Sequence, residues 1–134
     1  SIPQLISIVE TAIRQQRAVV LVHRAPSIDK IFPSHLLVPE IEYRADEPNA
    51  ELIVWADACV LAGSEEFYRT MAETVRAARY RLESGFARGL IDMPMPCGTG
   101  ECFACAVDRR HGLVRACVDG PWFDLSDFEM QGMR

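Results

Sequence analysis

The sequence has no apolar run approaching the roughly 18 residues that a membrane span requires, so no spanning helix is expected. It also has no excess of positive charge. Fourteen Lys and Arg stand against 19 Asp and Glu, for a net charge of −5. That balance argues against a nucleic-acid partner, which favours a basic surface, and suits docking onto another protein. There are no internal repeats and no low-complexity segments. No carboxylates are paired for acid–base work, no nucleophile has a matched base, and no phosphate loop is present. The N-terminal stretch SIPQLISIVETAIRQQ carries glutamines, an acid and an arginine at helical spacing, which is not the pattern of a signal peptide.

What is present is apolar material at 49% against 25% charged residues, over 134 positions. This is enough for a core without disulfide staples, in one domain or one domain with a small appendage. Five cysteines form an odd set, and four of them crowd into residues 97–117. A secreted disulfide scaffold spreads its cysteines more evenly, so clustered thiols point to a metal in a reducing, cytoplasmic setting.

Two textures divide the chain. Residues 1–92 read as an α/β layer, and residues 93–134 as a small Cys-, Gly- and Pro-rich module. The boundary is Met93-Pro94-Met95-Pro96, where the prolines exclude helix. A helix is expected from Pro3 to about Gln16, with Leu5, Ile6, Val9, Ala12 and Ile13 on its apolar face. Ala18–Val22 fits a strand covered on both faces, and Ile41, Tyr43 and Ala45 alternate as a further strand. Residues 49–54 fit either a short helix capped by Asn49 or a strand. Ala58–Ala62 fits a buried strand, after which Gly63 and Ser64 turn the chain into a long helix. Phe67, Met71, Val75, Ala78 and Leu82 keep helical spacing there, with Glu65 and Glu66 at the start and arginines at the end, as the helix dipole favours. Phe86–Ile91 reads as a last strand. The fold class implied is α/β, a partial doubly wound parallel sheet followed by a Cys-rich module. Such a layer normally opens with a strand and a glycine-rich turn, so a fragment, or a first strand supplied from elsewhere, is expected.

The cysteine segment reads Cys97-Gly98-Thr99-Gly100-Glu101-Cys102-Phe103-Ala104-Cys105, with Cys117 following. Its first three members have the C-x4-C-x2-C spacing of plant-type [2Fe–2S] proteins. Two irons in tetrahedral sulfur need four thiolates from the protein, three on a tight loop and one from a neighbouring segment. Gly98 and Gly100 allow positive backbone angles and close wrapping, and inward amides offset the charge on sulfur. The alternative is a zinc-stabilised interaction domain. Structural zinc usually takes two Cys pairs rather than a triple and a single.

The stretch 97–105, together with Cys117-Val118-Asp119-Gly120-Pro121-Trp122-Phe123, resembles the C-terminal cluster module of the dihydroorotate dehydrogenase electron-transfer subunit, which carries C-G-x-G-x-C-x-x-C and C-x-x-G-P-x-F. Residues 1–92 resemble most of that subunit's nucleotide domain, of the ferredoxin-reductase type. The resemblance implies Cys97, Cys102, Cys105 and Cys117 as ligands, in a protein serving pyrimidine biosynthesis. It implies that NADH reduces FAD, that FAD passes single electrons to the cluster, and that the cluster serves a flavoprotein catalytic subunit or another redox partner. The family's FAD-binding barrel has no counterpart here, and Ala62-Gly63-Ser64 replaces its usual Cys-Gly-Pro. FAD and NAD(H) are therefore expected of the family rather than of this chain alone, and catalysis by this chain alone is not expected. A homo-oligomer stays open.

Several residues admit two readings. Gly63 could mark a nucleotide site or a plain tight turn. Cys59 fits a small core residue better than a fifth ligand. His23 and His35 fit loop histidines, and His111 either a tuning group or a turn residue. Arg109 and Arg110 could meet an acidic partner or lie in a solvated turn. Trp122 and Phe123 are expected to cover one side of the cluster or to meet a partner.

Overall fold

A computed structural model of the chain describes residues 2–24 and 36–128. The backbone is mixed α/β, with three separate sheets among the described residues, and it packs as two compact units, Ser1–Pro48 and Asn49–Arg134. Among the described residues no helix is long and apolar enough to cross a membrane.

In the first unit a 3-10 turn over Ile2–Gln4 precedes helix α1 (Ile6–Arg14). The expected helix is shorter at both ends. Three-residue hydrogen bonding tightens its start, a common helix terminus. At its end Gln16 enters the left-handed region (φ 58°), and the Arg17 amide folds back onto the Ala12 carbonyl. Strands β1 (Val19–Val22) and β2 (Ile41–Arg44) pair in parallel, Val19 opposite Ile41. The expected alternation in β2 holds, with Ile41 and Tyr43 turned inward against Leu21, beside Leu5 and Ile6 of the N-terminal segment. β1 is covered less than expected, since of its four residues Leu21 alone is buried. His35 lies outside the described residues.

The second unit resolves the ambiguity at 49–54 as helix α2 (Ala50–Trp55). The Asn49 side chain accepts the Leu52 amide at 2.9 Å, an N-cap that a strand could not use. Strand β3 (Cys59–Gly63) leads through the Ser64 cap into helix α3 (Glu65–Arg79). The apolar face of α3 buries Met71 and Val75 as the spacing predicts, together with Tyr68 and Ala72. β4 (Ala87–Ile91) pairs in parallel with β3, and β7 (Trp122–Asp124) adds antiparallel to β4. Between β4 and β7 come an antiparallel hairpin, β5 (Ala106–Arg109) and β6 (Gly112–Arg115), and the single turn α4 (Ala116–Asp119).

One core serves this whole unit. Tyr68 and Val75 of α3, Ile91 of β4, Cys105, Val107 of β5, Leu125 and Phe128 are all fully buried in it. The Tyr68 and Phe128 rings lie 5.3 Å apart, and Phe123 meets Phe128 edge-on at 6.4 Å. Arg79 ties α2 to α3, donating to the Ile53 and Ala56 carbonyls at 3.2 and 3.1 Å while lying over the Phe86 ring. Those carbonyls end α2 and lack helical partners, so the arginine satisfies them.

Two positions carry the β4–β7 junction. Gly89 leaves room for the Leu61 carbonyl and the Tyr68 hydroxyl, both of which a Cβ would strike. Asp124 accepts the Gly85 amide at 2.6 Å and the Ser126 amide at 3.0 Å, and it also bonds to Ser84, Ser126 and Arg88 side chains. Burial pushes the Asp124 pKa up, but the hydrogen bonds from Ser126, Gly85 and Arg88 outweigh it, and its pKa lies below the ordinary carboxylate value.

Gly89→Ala is expected to cost about 2–4 kcal/mol in urea unfolding, because the new methyl meets backbone that cannot move aside. Because the folded pKa of Asp124 is depressed, its contribution is present above the unfolded value of about 4 and is lost as pH falls through the folded value. Asp124→Asn should lower the unfolding free energy from urea titration at pH 7 by about 1–3 kcal/mol, and make the loss below pH 4 shallower than in the wild type.

Candidate metal centre

The cysteine loop leaves β4 through residues 92–96 and folds back on itself over 97–105. Gly98 and Gly100 both take positive φ, 66° and 83°, and so does Phe103 at 56°. At Gly100 the constraint is double. A Cβ there would lie 2.7 Å from Val118, and the carbonyl of Gly100 accepts Arg115 Nη1 at 3.2 Å.

The fourth cysteine is brought back by the hairpin. Ala106 pairs with Arg115 and Arg109 with Gly112, so the residue before β5 stands opposite the residue after β6. The Ala116 amide donates to the Cys105 carbonyl at 2.9 Å. The eleven-residue gap is thus two four-residue strands, a two-residue turn and one step into α4. Asp119 holds that turn, accepting the Arg115 amide at 2.9 Å.

The result is sulfurs in twos. The Cys102 thiol donates to the Cys97 sulfur at 3.2 Å, and the Cys105 and Cys117 sulfurs share a proton at 3.3 Å. Cys105 is buried and Cys117 half-buried, whereas Cys97 is half-buried and Cys102 exposed. None of the five cysteines forms a disulfide. Among the described residues no three His, Cys, Asp or Glu side chains converge as a single-ion site. Sulfurs bound to one tetrahedral metal at about 2.3 Å lie about 3.8 Å apart, so each pair would open by roughly 0.5 Å to hold a metal.

Backbone amides surround the sulfurs. The amides of Cys102 and Thr99, then their side chains, hold the Cys97 thiol down at about 5. The Ala104 amide points to the Cys102 sulfur at 3.5 Å. Cys105 is lowered by the Cys117 amide and thiol, and Cys117 is correspondingly raised by sharing that proton, so the two titrate as a pair. The Gly100 amide faces the Cys117 sulfur. A donor set of thiols with inward N–H groups fits a negatively charged metal–sulfur centre.

Residues 93–129 match the family model of the iron–sulfur cluster binding domain of dihydroorotate dehydrogenase B. No curated protein and no solved structure matches the chain. The matched segment begins at the Met-Pro-Met-Pro boundary and takes in all four clustered cysteines.

Other predicted residues fall elsewhere. Phe123 faces the core rather than solvent, because alternation along β7 turns it in and leaves Trp122 exposed. Arg109 is neither in a solvated turn nor free for a partner. It pairs with Asp127 at 2.9 Å and lies over the Phe123 ring. Arg110 and His111 form the hairpin turn, at the end of β5 opposite Cys105. Cys59 packs at the edge of the core, and burial raises its thiol pKa. His23 follows β1, its amide on the Arg44 carbonyl. Gly63 ends β3, and the Phe67 ring fills the space above it, 2.6 Å from where a Cβ would be. Arg115 escaped the sequence reading, although it pins the loop at Gly100 and lies over Phe103 at 5.4 Å.

In metal-free protein Cys97 is a thiolate above about pH 5 and Cys59 is not. At pH 6.5, iodoacetamide should alkylate Cys97 well before Cys59, and the Cys97 rate itself should fall about tenfold for each pH unit below about 5. Peptide mass spectrometry reads this, and equal rates at pH 6.5 would contradict the amide cradle.

Proposed function

We propose that the chain carries single electrons through a [2Fe–2S] cluster held by Cys97, Cys102, Cys105 and Cys117, as the cluster-bearing part of a dihydroorotate dehydrogenase B-type reductase subunit. The observation that carries this reading is the pairing of the thiols two and two on an amide-lined loop. A two-iron centre takes two protein sulfurs on each metal, whereas one structural zinc needs four converging on a point. The pairing therefore favours the cluster over the zinc-stabilised interaction domain.

Such a cluster accepts and releases one electron at a time, which lets a two-electron flavin donor serve a one-electron path. The residues do the rest. Cys105 and Cys117 fix one side of the site to the core, and Cys97 and Cys102 bring the other to the surface. Phe103 and Val118 beside them are 55% and 51% exposed, an apolar margin suited to a flavoprotein partner.

Residues 93–134 form the cluster module in this reading. Residues 1–92 correspond to a nucleotide-binding-like part of a doubly wound layer, whose parallel pairs β1–β2 and β3–β4 are consistent with it. A nucleotide role for Gly63 rests on the β3–α3 turn alone. FAD and NAD(H) belong to the upstream steps of such a reductase. Five free thiols suit a reducing, cytoplasmic setting.

Anaerobically purified protein should be red-brown, with about two irons and two inorganic sulfides per chain, and should give an electron-resonance signal on reduction. Cys102→Ser should lose that signal and at least about half of the iron, since one metal is left with a single thiolate. Colourless protein with one zinc per chain would favour the alternative. A Cys102→Ser variant with full iron and absorbance would refute the ligand set.

A further inference from the structure

A cavity of about 520 Å³ opens at the far end of the β5–β6 hairpin from the cysteines. The last turns of α3 and the segment after it line one wall with Arg76, Arg81 and Ser84, and the hairpin turn lines another with Arg110 and His111. Three guanidinium groups gather here in a chain whose net charge is −5.

Their charges are poorly compensated. Among the described residues neither Arg76 nor Arg110 has a carboxylate within ion-pair distance, and Arg81 meets Glu83 only at 3.9 Å with both side chains well exposed. Among the described residues Asp127 is the one acid of the lining, and Arg109 occupies it at 2.9 Å. Arg76 uses one nitrogen on the Phe128 carbonyl at 2.9 Å, while its Nη1 is buried without a partner. A half-buried arginine with one nitrogen lacking a partner raises the local potential and favours an anion nearby.

We propose that this cavity binds a phosphate-bearing small molecule. Arg81 and Arg110 contact its oxygens, and Arg76 supplies charge from beneath. The volume of about 520 Å³ is of the size that small ligands occupy. Several forked guanidinium groups suit a multiply charged phosphate better than a single carboxylate. The site is independent of the cluster reading, and iron content measured on the same samples separates the two.

The test is calorimetric titration of the purified full chain with pyrophosphate, on wild type, on Arg81→Gln/Arg110→Gln, and on Arg14→Gln/Arg17→Gln as a charge-matched control. The expected result is saturable one-site binding, weakened about tenfold or more in the cavity variant and retained in the control, with iron content equal in all three. Absence of saturable binding by the wild type would overturn the proposal. So would a cavity variant that binds like wild type, or a control that loses as much affinity as the cavity variant, which would mark diffuse charge or an acidic macromolecular surface instead.

Discussion

The second unit depends on the register of one short hairpin. Ala106 faces Arg115, so Cys105 and Ala116 become neighbours and Cys117 is delivered to the sulfur it must meet. A one-residue slip would turn each strand's inward face outward, taking Val107 out of the core and Cys117 away from Cys105. Val107 and Ala116 are fully buried beside α3 residues, and that burial pins the register. The cysteine segment is thus held by the same core as β3, β4 and α3. Residues far from sulfur, such as Gly89 and Asp124, support it indirectly by holding β7 against β4.

Bringing thiols this close is unfavourable once they ionise, and the loop offsets the repulsion with peptide dipoles. Three residues in the left-handed region, Gly98, Gly100 and Phe103, bend the chain so that amides of Thr99, Gly100, Cys102 and Ala104 turn toward sulfur. Two of the three are glycines, for which that region costs little. Phe103 adopts it under the Arg115 guanidinium, which also fixes the Gly100 carbonyl. In the metal-free state each sulfur pair is joined by a proton, and a metal would take that place.

The thiol cluster was legible because its signal is local. Cysteine spacing and intervening glycines reflect what a tight loop must do, and the matched segment spans all four thiols. The helices and parallel strands were legible from apolar periodicity, and the Asn49 cap settled the one ambiguous stretch. The hairpin was not. β5 and β6 are four residues each, mix charged and apolar positions, and are joined by Arg-His rather than by a turn-forming pair. Without it, Arg109 read as a surface charge and Phe123 as a cover for the cluster, whereas the hairpin and β7 make them a brace and a core ring. Arg115 was illegible for the same reason, since its partners are a carbonyl and a ring that only the folded loop brings near.

The hairpin also separates two fields of opposite sign. Sulfurs lie at one end, and Arg110 and His111 at the other. Four residues of extended strand span about 13 Å, and the screening length at physiological salt is about 8 Å. The arginine of the turn is therefore too distant to hold the thiols deprotonated. That work falls to groups in contact with sulfur, and at Cys97 the Cys102 and Thr99 amides do come first. The separation lets a positive cavity and a thiolate cluster sit at the two ends of one hairpin without neutralising each other. Arg109, paired with Asp127 and stacked on Phe123 between them, adds no free charge to either end.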